Sequence, residues 1–128
     1  MTYALRLALL ALFFCSPFRV EASQDVQTGT IMICDTQQQV ERFVRFLNVG
    51  GNAQSAIRLV NTEAENPSAC AVGTIAYVRG DKIGMARTQS DAFQIVQILV
   101  LGVGTQAGMR PVPPATFYTL VKIKEFAA

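Results

Sequence analysis

The spacing of apolar residues changes character twice along the chain. Residues 7–14 form an unbroken apolar run, Leu7-Ala8-Leu9-Leu10-Ala11-Leu12-Phe13-Phe14, behind a lone Arg6. A more polar stretch follows and ends in Val20-Glu21-Ala22, with modest side chains flanking a cut after Ala22. A charged start, a short apolar centre and a small-residue cut site are the layout of a secretory signal peptide, here residues 1–22. The run falls well short of the ~20 residues that cross a bilayer, so no membrane span is expected after cleavage. Cys15 follows Phe14, whereas lipid attachment needs a small residue before the cysteine; a lipoprotein is not expected.

Beyond residue 22 the pattern predicts one small α+β domain, residues 23–128. Residues 28–34, Thr-Gly-Thr-Ile-Met-Ile-Cys, read as a short strand rich in β-branched side chains. Thr36 and Gln39 have the spacing of a capping box. The helix they open carries Val40, Phe43, Val44 and Leu47 at i, i+3, i+4 and i+7, one apolar stripe. Gly50 and Gly51 end it. Asn52 is placed to cap a second helix with Ala53, Ala56, Ile57 and Val60 on one face, which fails before Pro67. The two form a hairpin expected to lie on a sheet.

From Cys70 the period drops from near four to two. Residues 70–78 predict a strand, residues 79–82 (Arg-Gly-Asp-Lys) a turn, and residues 83–88 a returning strand. Residues 93–103 are apolar on both faces and predict a central strand. Pro111-Val112-Pro113-Pro114 is expected to interrupt the ladder, since proline has no N–H to donate. In residues 117–125, Phe117, Thr119, Val121 and Ile123 are expected to face the core. Tyr118, Leu120, Lys122 and Lys124 face the other way, as suits an edge strand. The expected order is β-α-α-β-β-β-β: an antiparallel sheet of about five strands with a two-helix insertion after the first. A small SH3-like barrel with the helices plugging one end is the alternative.

Composition narrows the chemistry. The chain has 11 basic and 9 acidic residues, three cysteines and no histidine. A net charge of +2 is too small to mark a nucleic-acid binder. The missing histidine removes the commonest acid–base catalyst and the commonest metal ligand together. Loss of residues 1–22 would take Cys15 with it and leave Cys34 and Cys70 as an even pair. In an exported chain such a pair is expected to form a disulfide, closing a loop of about 37 residues. Cys34 also precedes a helix start, where the dipole lowers a thiol pKa, but no histidine can serve as its base.

The short motifs have structural readings. Arg79-Gly80-Asp81 spells an integrin-recognition tripeptide, yet Gly and Asp are the residues a hairpin tip needs. Pro111 and Pro114 match P-x-x-P, expected here to be a rigid connector. Gly102-Val103-Gly104 lacks the third glycine of a dinucleotide loop and suits a bulge. Asp35, Glu63, Glu65, Asp81 and Asp91 all fall at predicted caps, turns or loops, and no pair is nominated as acid and base.

The sequence therefore points to an exported protein of bacterial type, periplasmic or secreted, with no cofactor and no metal. The expected role is a non-catalytic binding or interaction module, an inhibitor or an envelope-assembly subunit with a protein partner. Arg42, Arg45 and Phe46 on the first helix, with Tyr118, Lys122 and Lys124 on the last strand, form the candidate partner surface, because an aromatic among cations is a typical contact composition. Two alternatives remain open: a carboxylate-based hydrolase, and a carrier using the space between helical hairpin and sheet for a small apolar ligand.

Overall fold

The computed structural model describes residues 25–123; the expected signal peptide and Lys124 lie outside them. The elements are β1 (Val26–Cys34), α1 (Gln37–Asn48), α2 (Ala53–Glu63), β2 (Cys70–Arg87), β3 (Ala92–Thr105) and β4 (Gly108–Ile123). The class is α+β with the two-helix insertion after the first strand, as the periodicity predicts. All strand pairings are antiparallel, and the four strands close into a barrel in the order β1-β2-β3-β4, as the barrel alternative expected.

The described residues form four strands rather than about five, and the difference lies at residues 79–82. These residues do not turn. Strand β2 runs through them as one 18-residue strand, with register shifts against β3 between Arg79 and Lys82 and between Lys82 and Gly84. The extra residues bend β2 sharply, as bulges do. Residues 70–78 pair with β1 and residues 75–87 with β3, so 75–78 are paired on both sides.

Gly80 is the residue this bend requires. A Cβ built there would lie 2.7 Å from the backbone carbonyl oxygen of Gln97 on β3. Changing Gly80 to alanine is therefore expected to cost about 1–3 kcal/mol by overpacking, read from denaturant unfolding. Changing the neighbouring exposed Asp81 to alanine should stay within about 0.5 kcal/mol. Equal, small effects at both positions would remove the structural explanation of the Arg-Gly-Asp tripeptide.

The proline segment interrupts the ladder as expected, though without ending the strand. Strand β4 continues through it, but the ladder skips Val112, Pro113 and Pro114 between the pairs Gly102–Pro111 and Val100–Ala115. The chain stays extended while Pro113 and Pro114, which have no N–H to donate, fall outside the hydrogen-bond ladder together with Val112.

Two apolar clusters lie on the two faces of the sheet. Ile75, Val96, Ile98 and Val100 form one, with Ile31, Ile33, Tyr77, Phe117 and Val121 packed around them. No helix residue belongs to that cluster, yet Val96 and Ile98 are 0% and 1% exposed. This face must be the inside of the roll. The second cluster joins Val40, Phe43 and Val44 of α1 with Ala56 and Val60 of α2, and with Cys34, Cys70 and Ile95 of the sheet. The helical hairpin thus covers the outer face of the sheet rather than plugging its end.

Both helices begin as their sequences predict. Thr36 Oγ1 accepts from the Gln39 N–H at 3.2 Å, and the Thr36 N–H donates back to Gln39 Oε1 at 3.1 Å. Asn52 and Ser55 repeat the reciprocal box at α2. Gly50, at φ +94, supplies the left-handed residue after α1. Ala53, expected on the apolar face of α2, is exposed, so that face is narrower than the sequence suggested.

Cys34 and Cys70 are joined by a disulfide across directly paired positions of β1 and β2. Asn61 braces the same point. Its side-chain NH2 donates to the carbonyls of Pro67 at 2.9 Å and Cys70 at 3.0 Å, while its Oδ1 accepts from the Cys70 N–H at 2.8 Å. The helical insertion is therefore tied off at its base covalently and by hydrogen bonds.

Candidate functional site

Among the described residues, the barrel closes at one ladder pair, Cys34 of β1 with Tyr118 of β4. Next to that pair, Thr119 Oγ1 donates to the carbonyl oxygen of Met32 at 2.6 Å. Thr119 is the one polar residue among the described residues classed as buried, and a side chain here does what a ladder bond does elsewhere. Replacing Thr119 with the isosteric valine would leave the Met32 carbonyl unpaired. The expected cost is about 1–3 kcal/mol, with faster amide exchange at Tyr118 but not in the helices; uniform loss of protection would contradict it.

Beyond this latch the two strands share no further ladder pair among the described residues. Alternate residues of an antiparallel strand present their N–H and C=O to the same edge. Because the Met32 carbonyl faces β4, the backbone groups of Thr30 and Thr28 face the same way. On β4, Tyr118 faces β1, so Leu120 and Lys122 do as well. No β1–β4 ladder pair other than Cys34–Tyr118 joins them among the described residues. Among the described residues the seam is thus bordered by Thr30 on one side and by Leu120 and Lys122 on the other, with no ladder bond between them.

A cleft of about 290 Å³ opens between these edges. Its apolar walls are Ile31, Val96, Ile98 and Val121, continuous with the inside of the barrel, and Leu120 from the outer face. Its polar lining is Gln27, Tyr77, Arg79, Thr119 and Lys122, with no carboxylate among them. Lys122 Nζ pairs with Asp91 at 3.0 Å. Arg79 is exposed and has no carboxylate partner among the described residues.

The residues proposed from sequence as a partner surface are distributed differently. Arg42 donates to both Glu63 carboxylate oxygens, at 2.8 and 2.6 Å, and its guanidinium lies 5.0 Å from the ring centroid of Phe46. Phe46 and Tyr118 are half-buried and pack against the helix–sheet core. Arg45, exposed, shares with Arg42 and Glu63 an open groove of about 490 Å³ along the hairpin. Lys122 lies on the rim of the seam cleft, and Lys124 lies outside the described residues. What periodicity missed were Gln27, Ile31, Tyr77, Arg79 and Thr119, because the seam depends on how the ends of the sheet meet.

Charge in the site is held by local pairs. The Arg42 guanidinium hydrogen-bonds Glu63 and holds its carboxyl below the usual range. Asp91 is lowered in the same way, by the hydrogen bond from Lys122 first and with help from the Ser90 hydroxyl. Groups lowered on folding contribute stability that is present above their unfolded pKa and lost as pH falls through the folded value. Acid destabilisation below the ordinary carboxylate range is therefore expected to be smaller in Glu63→Gln than in the parent chain. Both pairs are exposed, so the difference should be small and shrink further in high salt. An acid-unfolding curve unchanged by the substitution would contradict this.

The space between hairpin and sheet is filled by Val40, Phe43, Val44, Ala56 and Val60. Among the described residues no group of three or more Cys, Asp or Glu side chains is placed to hold a metal ion. No family model, no curated protein and no solved structure matches the chain. No helix among the described residues is long and apolar enough to cross a membrane.

Proposed function

We propose that this protein is an exported, non-catalytic binding module that engages a protein partner. The observation that supports it best is the seam between β1 and β4: two unpaired strand edges beside an apolar cleft. Such edges are a liability that folds ordinarily cover, bend away or charge. A recognition surface is the function that turns this exposed hydrogen-bonding capacity to use. The disulfide accords with an oxidising compartment. The two shifted carboxyls are held ionised by cations, which suits structural pairing better than general acid catalysis.

Affinity isolation from a native envelope or culture fraction, kept non-reducing, tests the reading. The expected result is a partner that rebinds the purified protein saturably and is competed by excess free protein. A hydrolytic activity that co-purifies with the chain and disappears when one carboxylate is changed would overturn the reading in favour of an enzyme.

A further inference from the structure

Resting on the binding-module reading, we infer that the seam takes an extended segment of the partner, added as a strand along β1. Its apolar side chains would enter the cleft, and one carboxylate would lie at Arg79. Three observations carry this beyond a general contact surface. The first is the edge itself. Among the described residues, Thr30 on one side and Leu120 and Lys122 on the other face the seam with no β1–β4 ladder pair between them. Only another backbone matches that row of alternating donors and acceptors.

The second is size. The cleft holds about 290 Å³, at the lower bound of small-molecule pockets. It has room for one or two apolar side chains on the half-buried Ile31 and Val121, and little for a lipid tail. Because side chains alternate, a strand lying on β1 would send every second residue into the cleft and the others to the solvent side.

The third is charge. No carboxylate lines the cleft, Lys122 is held by Asp91, and Arg79 is left without a carboxylate partner. An acidic residue on the incoming strand complements it.

The probes are capped synthetic peptides, Thr-Val-Thr-Val-Thr-Glu and the same peptide ending in Lys, titrated into the disulfide-bonded protein and followed by amide NMR. The Glu peptide is expected to shift and protect the Thr28 and Thr30 amides. It should bind about fivefold more tightly than the Lys peptide, and Arg79→Glu should reverse that order. Thr30→Pro removes an outward N–H without removing a β1–β2 ladder bond, and should weaken binding about tenfold. If that variant folds poorly, N-methylation of alternate peptide amides makes the same cut from the ligand side. Shifts mapping to the helical groove at Arg42 and Arg45, or binding indifferent to charge and N-methylation, would overturn the proposal. So would self-association of the free protein that protects Thr28 and Thr30. A partner that Thr30→Pro and Arg79→Glu still capture normally would defeat this inference while leaving the binding-module reading intact; absence of any saturable partner would defeat both.

Discussion

Replacing Cys34 and Cys70 together by alanine is expected to remove about 4 kcal/mol of stability. The bond joins positions 36 apart in sequence, and chain-entropy scaling for a loop of that size gives the figure. Domains of this size are stable by about 5–15 kcal/mol. Loss of the bridge should therefore bring the protein close to its unfolding midpoint under mild conditions. The effect is sharpened by location. Cys34 is the β1 residue of the only β1–β4 pair among the described residues, and both sulfurs are buried in the helix–sheet core. The reduced chain should lose the latch at Tyr118 before it loses the β2–β3–β4 ladder. Denaturant unfolding with and without reductant measures the first effect, and exchange at Tyr118 against Ile98 measures the second. A difference below about 1 kcal/mol would show that the unbridged chain is already restricted when unfolded. The double variant should also have a larger m-value, because its denatured state is no longer cross-linked.

How far the sequence reached follows from which interactions are local. Thr36–Gln39 and Asn52–Ser55 span three residues each, so both caps and both helices could be read directly from spacing. The Cys34–Cys70 pairing followed from there being two cysteines once Cys15 was assigned to the signal peptide. Alternation in residues 117–123 separated Phe117, Thr119 and Val121 from Tyr118 and Leu120, and the two clusters divide these side chains the same way. The errors arose where a long-range contact decides the local shape. Arg79-Gly80-Asp81-Lys82 has turn composition, but whether it turns or bulges depends on Gln97, a residue of another strand lying against Gly80. The seam was illegible for the same reason. Thr119 looks like any inward β-branched residue until Met32, 87 positions earlier, is placed beside it.

The largest single-residue effect is expected at Ile95, not Ile98, although both are 1% exposed. Truncating either isoleucine to alanine removes about three carbons' worth of apolar burial, roughly 2.4 kcal/mol at 0.8 kcal/mol per methylene. The remainder depends on whether the neighbours can relax or the gap stays empty. Ile95 lies between the sheet and the helical hairpin, in the cluster that includes Phe43, Val44 and Val60 and whose base is pinned by the disulfide. A cavity there cannot easily collapse, so Ile95→Ala should approach the upper end of such substitutions, about 4–5 kcal/mol. Ile98 borders the seam cleft, which is already open. Its removal enlarges a space that water can enter and that β4 can close, so about 2–3 kcal/mol is expected. Denaturant unfolding of the two variants side by side reads the difference. Equal costs, or a larger loss at Ile98, would mean that the cleft is closed in solution and that the inside of the roll is packed as tightly as the helix–sheet core. A closed cleft would also leave an added strand nowhere to place its side chains, so the stability of these two variants bears directly on the proposed binding site.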